Sequence, residues 1–409
     1  MTDTHHPSIF APFLGEDGQV VIGNRPVGRW LDNSGRPHFL YSKSRLATRI
    51  AELRAAMPRD LHLHYAVKSN PFAPLLQAVD PLVDGFDIAS IGELRQLIAA
   101  GCSVDNVSFA GPGKSQQEID EAAAHDVKII VESPHQLRMC QKAGAELGRT
   151  VRAMVRINDQ KARPGGGLSM AGGNTVFGWD LADFLANGRG LFGQSQNVEF
   201  WGLHLFFGSQ ILQSTAIEAG ISASVETIKS MDLPDVPRLV NLGGGLGVPY
   251  GPKDAPLDIR TLTPVWDRAV NDLKTLHPDT NVCIELGRYI SATTGLYVMD
   301  ILDKKQVGDA SFLVCAGGLH HFAAATGNFG QVLKRDHPVA VAHADSGPTQ
   351  TVTIAGPLCT PMDVFARNIE LPNAEIGDRI VVFQAGAYGA TASPTGFLSH
   401  PPAVERMVD

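Results

Sequence analysis

Eight short apolar runs follow one another between residues 61 and 287: LHLHYAVK (61–68), GFDIA (85–89), VSFAG (107–111), KIIVE (128–132), VRAMVRI (151–157), FWGLHLFF (200–207), RLVNLG (238–243) and VCIELG (282–287). Amphipathic segments lie between most of them, among them IGELRQLIAAG (91–101), SQQEIDEAAAH (115–125) and PHQLRMCQKAGAELG (134–148). Strands alternating with helices at this spacing are βαβ units and therefore a parallel sheet. Eight in succession predict a closed (β/α)8 TIM barrel. The alternative, a doubly wound open sheet, would gather its polar residues at one crevice. Here they recur at the end of nearly every run: Lys68, Asp87, Glu132, Arg156 with Asn158, His204, Gly243–Gly245 and Glu285. In a barrel all those ends converge on one mouth, the catalytic face.

After about residue 289 the texture changes. GLYVMDILDKKQV, SFLVC, TVTIAGPLC and DRIVVFQAGAYG are strand-like and separated by turns, without intervening helices. They predict a C-terminal, mainly antiparallel β-domain (289–409), which the strand-and-turn segment QVVIGNRPVGRW (19–30) would join along with the rest of residues 1–37. The barrel is expected over 38–288. The net charge of −8 argues against nucleic acid or an anionic membrane as partner. Five scattered cysteines fit neither a disulfide framework nor a metal knuckle. Without a signal-peptide pattern or a long apolar run, the expected location is cytoplasmic.

Three strand ends carry chemistry. A lysine at a barrel strand's C-terminal end is a snorkelling surface lysine or a desolvated, nucleophilic one able to form a Schiff base. The triple glycine of VNLGGGLG (240–247) is a tight turn or an anion cradle, and barrels often hold phosphate after strands seven and eight. Glu285, at the end of strand eight, would be costly to bury unless it meets a cation. A protonated pyridine nitrogen is such a cation. Lysine, glycine loop and carboxylate together match the aldehyde, phosphate and ring nitrogen of pyridoxal 5'-phosphate.

HYAVKSNP, FDIASIGEL, FAGPGK, HLFFGSQ, NLGGGLG, ELGR, GPLCTPMD and GAYG, in this order, resemble the fold-type-III pyridoxal-phosphate decarboxylases, the diaminopimelate and ornithine decarboxylase family. The resemblance implies an alanine-racemase-like barrel plus β-domain, and a homodimer with shared active sites. It implies that Lys68 bonds the cofactor and that His204 stacks on its ring. Ser209, Gly243, Gly244, Gly245, Gly287 and Arg288 would hold the phosphate, with the Tyr388 hydroxyl. Glu285 would meet the ring nitrogen, and Asp87 and Arg156 would position the lysine and histidine. Arg288 and Tyr388 are also candidates for the substrate carboxylate. Cys359, reaching the neighbouring subunit's site, would return a proton once carbon dioxide has left, with Lys68 as the second candidate.

Two departures bear on substrate. Where diaminopimelate decarboxylases have Glu after the cysteine, and ornithine decarboxylases Asp, this chain has Thr360, and the nearest acid is Asp363, which could take the acid's place only if the loop turns it inward; both are candidate substrate contacts. In GGLHHFAAATGNFGQV (317–332) the family's Arg and Tyr for a distal carboxylate are missing; His320, His321, Asn328 and Gln331 stand there, the histidines expected to touch substrate and to bind no metal. The combination is similar to a subgroup attached to bacterial biosynthetic clusters, which includes exosortase-associated enzymes and decarboxylases of carrier-protein-bound glutamate. The expected function is decarboxylation of an L-amino acid or a carrier-protein-tethered, glutamyl-like amino acid in a biosynthetic pathway. Lys334-Arg335 and Lys304-Lys305 are candidate basic patches for a carrier. The glycine-rich stretch 160–180 is expected to be a loop over the mouth. The alternatives are a diaminopimelate decarboxylase, racemisation or aldol cleavage on the same scaffold, and a non-catalytic, cofactor-holding regulator.

Overall fold

The computed structural model describes residues 7–159, 174–231, 233, 236–251, 253–326, 336–343 and 348–409. They divide into two compact units: Ile50–Gly247 with Leu257–Gly287, and Met1–Arg49 with Val248–Pro256 and Arg288–Asp409.

The first unit is the barrel. Its eight parallel strands are Leu61–Ala66, Gly85–Ile88, Val107–Phe109, Lys128–Val131, Val151–Asn158, Val198–His204, Leu239–Asn241 and Asn281–Leu286, each beside the next, with the eighth returning to the first. Their interiors are almost uniformly apolar because helices cover one face and the barrel core the other. Ser90, Ser115 and Ser133 each start a helix by accepting the backbone N–H three residues on, and Glu118 completes a capping box with Ser115. Those helices bury Leu94, Leu97, Ile119, Leu137 and Ala143 against the strands. All eight sequence runs become barrel strands, but the first stops short. It ends at Ala66, and Val67–Ser69 is a 3₁₀ turn.

The second unit is built on one sheet. Gly295–Val307 pairs antiparallel with Ala310–Cys315, Arg379–Val382 and His38–Ser42; Thr349–Ala355 pairs antiparallel with Val364–Pro372. Two pairs are parallel: Ala310–Cys315 with Thr349–Ala355, and Val404–Val408 with His38–Ser42. The segment 19–30 forms a small hairpin whose Val20, Ile22 and Val27 enter this unit's core with Leu40, Leu296 and Val298. The strand His38–Ser42, read from sequence as the head of the barrel segment, therefore belongs to the β-unit. Among the described residues no helix is long and apolar enough to cross a membrane.

Candidate active site

The barrel rim begins with the turn that carries Lys68. Asn70 N–H closes it on the Val67 carbonyl, the Tyr65 hydroxyl donates to the Asn70 carbonyl (3.1 Å), and Ser69 donates to Tyr65 (3.0 Å). With Val67, Ser69 and Asn70 buried, the backbone is fixed while the Lys68 side chain stands exposed. Of the two readings of this lysine, the exposed one describes its position here: the strand ends at Ala66 and Lys68 follows in the turn. Its charge has company all the same, since its field acts on both Glu93 and Glu285.

Glu285 sits at the centre of the rim. Burial would push its carboxyl up, but the neighbouring His204 ring, Lys68 and Arg156 more than offset this and hold it at about 2. His204 Nε2 lies 3.3 Å from Glu285 Oε2, and the Asn241 side-chain amide donates to the same oxygen at 3.3 Å. Asn241 Oδ1 in turn accepts the Gly243 N–H (2.8 Å), tying the carboxylate to the glycine loop. His204 is 1% exposed, and its Nδ1 has no hydrogen-bond partner among the described residues.

The glycines are there for geometry. Gly243 and Gly245 have φ of 69° and 85°, conformations that strain any other residue, and a Cβ at Gly244 would strike the Glu285 carbonyl. Ile211 N–H donates to the Gly245 carbonyl and Gly247 N–H to the Ile211 carbonyl, both at 2.9 Å, which laces the half-buried Ser209 segment to the loop. A Cβ at Gly287 would lie 2.8 Å from Ser69 Cβ, so glycine lets the end of strand eight pack on the Lys68 turn.

Asp87 and Arg156 are both buried at strand ends, in separate settings. Asp87 accepts from Ser108 and faces His64 Nδ1 at 3.5 Å. Arg156 pairs with Glu132 at 3.7 Å; burial lowers its guanidinium, with Glu132 and Glu285 opposing. Glu132 also accepts the Gly111 and Gly178 amides (3.1 and 2.7 Å).

In the β-unit, Arg288 is buried and donates to the Tyr250 hydroxyl at 3.0 Å, with its guanidinium carbon 4.5 Å from the Tyr388 ring centroid. Its Nε has no hydrogen-bond partner among the described residues. Tyr388 holds a φ of 53°. Cys359 is exposed and Thr360 half-buried. Asp363 is turned inward: its oxygens accept the Leu319 N–H at 2.5 Å and the Leu358 N–H at 2.8 Å. Burial pushes its carboxyl up, and those two amides pull against it. Expected as a substrate contact, Asp363 is instead a clamp between two loops. His320 and His321 are likewise interior, at 0% and 2% exposure; His321 is held by the Tyr297 hydroxyl (3.0 Å) and the Pro401 carbonyl (2.8 Å). Their burial within one subunit removes the expected substrate contact. Asn328, Gln331, Lys334-Arg335 and residues 160–173 of the glycine-rich stretch lie outside the described residues. Among the described residues no group of three His, Cys, Asp or Glu side chains is disposed to hold a metal ion.

Sequence reasoning missed Asn241, Tyr250 and His64 as site residues, and left Glu132 a mere strand end. Asn241 stands two residues before the glycine loop, a spacing at which a side-chain carbonyl caps a turn amide, and that was the available signal.

Residues 43–292 match the family model described as the pyridoxal-binding domain of pyridoxal-dependent decarboxylases. The L-glutamyl-[BtrI acyl-carrier protein] decarboxylase of Niallia circulans is 32% identical over 90% of this chain and 88% of its own. A 2-[(L-alanin-3-ylcarbamoyl)methyl]-2-hydroxybutanedioate decarboxylase of Staphylococcus aureus is 29% identical over 92% and 96%. The crystal structure of Helicobacter pylori diaminopimelate decarboxylase complexed with L-lysine superposes with a TM-score of 0.80 at 25% identity, covering 93% of this chain and 94% of that one.

Proposed function

The chain belongs to the pyridoxal-dependent decarboxylases, and from that premise we propose that it removes the α-carboxylate of a glutamyl-like L-amino acid tethered to a carrier protein. A decarboxylase of this kind needs a free α-amine and a free α-carboxylate, so the tether runs through the side chain. The observation that carries the substrate reading is Asp363. Its carboxylate is consumed by two backbone amides, and the loop after Cys359 offers Thr360 in place of an acid. A distal ammonium, as in diaminopimelate or ornithine, would find on that loop only a carboxylate already engaged by two amides; an uncharged thioester needs no counter-charge.

The rim residues fit the cofactor. Lys68 offers an accessible amine on a fixed turn, Glu285 stays ionised down to about pH 2 and suits a protonated ring nitrogen, and Gly243–Gly245 with Ser209 suit a phosphate. Arg288 and Tyr388 are the proposed further phosphate or substrate-carboxylate ligands, and Gly287 allows the turn that precedes them. His204 is the proposed ring-stacking residue. When bound, pyridoxal 5'-phosphate supplies the electron sink for the pair released as carbon dioxide leaves. Arg156 helps hold Glu285 ionised, and Asp87 and Arg156, both buried, are the proposed positioning pair for Lys68 and His204. We assign the returning proton to Cys359 of a second subunit, with Lys68 as the fallback donor. An exposed thiol three residues before Met362, itself 62% exposed, suits a loop made to be covered by another chain. The working form is then a cytoplasmic homodimer.

The test is carbon dioxide release by cofactor-loaded protein from L-glutamyl-carrier protein, free L-glutamate and diaminopimelate. Turnover of the tethered substrate at least about tenfold above the others in kcat/KM is expected. Preference for diaminopimelate would overturn the substrate reading, and no release from any amino acid would overturn the reaction.

A further inference from the structure

His64 is buried to 1% exposure, directly before the Tyr65 that fixes the Lys68 turn, and beyond facing Asp87 it has no role in the proposed reaction. It stands in a line of polar groups running from the N-terminal ends of the third and fourth barrel strands to the rim. Lys128, buried, donates from Nζ to Asn106 Oδ1 at 2.8 Å. Asn106 Nδ2 donates to the Asp84 carbonyl at 2.5 Å and meets His64 Nε2 at 3.2 Å. His64 Nδ1 faces Asp87 Oδ2 at 3.5 Å, an ion-pair distance, and neither atom has a hydrogen-bond partner among the described residues. Asp87 Oδ1 accepts from Ser108.

The chemistry of the ends decides the middle. An ammonium can only donate, so Asn106 must turn its carbonyl oxygen to Lys128 and its amide to His64. An amide N–H can only donate, so His64 Nε2 must be the bare, accepting nitrogen. The single proton of a neutral imidazole then lies on Nδ1, the nitrogen on the Asp87 side. Gly85 is part of the device: a Cβ there would lie 2.8 Å from Asn106 Nδ2 and would strike the Asn106 carbonyl. We infer that His64 is a positioning residue for Asp87: Asn106, oriented by Lys128 and by the Asp84 carbonyl, selects the tautomer that carries the ring proton on Nδ1, so that a donor and not a second acceptor faces the Asp87 carboxylate. The charged or titratable groups near the relay are His62 on the same strand, Asp84 just before the second strand and Asp87 within it, Asp126 and Arg152 acting on Lys128, and Glu285 and Cys283 on the eighth strand. This inference rests on the proposed function only in taking Asp87 to border the reacting centre.

Nitrogen-15 spectra of histidine-labelled protein without cofactor, with the His64 signal assigned by its loss in His64→Phe, read the tautomer directly. At about pH 8, wild type is expected to show Nδ1 protonated and Nε2 bare. Asn106→Asp, nearly isosteric, sets an acceptor against Nε2 and is expected to move a proton onto it. A protonated Nε2 in wild type, or no change in Asn106→Asp, overturns the relay. In the loaded enzyme Asn106→Asp should lower kcat about tenfold with KM little changed and move the acid limb of the pH profile. A switched tautomer with an unmoved profile overturns the positioning role. If no substrate is decarboxylated while the tautomers behave as expected, the proposed function has failed and the relay stands.

Discussion

Glu285 and His320 are two nearly buried titratable side chains with opposite fates. Glu285 is surrounded by groups that favour its charge, and it remains a carboxylate at any working pH. Glu285→Gln keeps the shape and removes the charge, so kcat for carbon dioxide release should fall about 100-fold, the usual scale for losing one preorganised electrostatic contact. His320 has no favourable company. Both its ring nitrogens lack hydrogen-bond partners among the described residues, it lies 3.8 Å from the His321 ring and 4.9 Å from that of His400, and burial with those neighbours drives it from 6.5 to about 4. A histidine whose folded value is depressed stays unprotonated in the native state while the unfolded chain takes up a proton. Stability should therefore be full above pH 6.5 and fall as pH drops from 6.5 toward 4, by at most about 3 kcal/mol. Thermal denaturation of His320→Leu against wild type across that window checks the sign: the variant should show the shallower loss. Neither environment could be read from sequence, because each is made by side chains brought together by folding, as with Glu285, His204 and Asn241 from three different strands.

Elements were more legible than their edges. All eight barrel strands could be seen in the sequence because continuous apolar runs between amphipathic helices have one economical packing. Their ends could not, since the exit of the first strand is settled by Tyr65 and Ser69 rather than by hydrophobicity. His38–Ser42 was misassigned for a different reason: its partners are the strands Gly295–Val307 and Val404–Val408, over 250 residues away in sequence as the pairs His38–Val298 and His38–Val404 make plain. The loop Gly356–Asp363 illustrates the limit for sites. Motif order located Cys359 and Thr360, yet the inward turn of Asp363 depends on Leu319, in another loop. Asp363→Ala would leave two amides unsatisfied and should destabilise the protein by roughly 3 kcal/mol in denaturant titration. Gly318→Ala should also destabilise it, as its Cβ would fall 2.8 Å from Asp363 Cγ. Thr360→Glu, which restores an acid without disturbing the clamp, should raise kcat/KM for diaminopimelate.

For the whole molecule, the claim with most reach is that Lys68 is the residue that takes up the cofactor and Cys359 the one that serves it from another subunit. If the site is shared, a mixture of Lys68→Ala and Cys359→Ala chains should recover about a quarter of wild-type activity through random pairing, and recovery of none would leave each chain acting alone. The lysine itself can be tested without any substrate. Purified apoprotein titrated with pyridoxal 5'-phosphate, followed by visible absorbance, should develop a saturable band in the wild type that borohydride fixes covalently to Lys68 and that Lys68→Ala does not form. A band of equal strength in Lys68→Ala, or covalent capture at another lysine, would contradict the account at its centre.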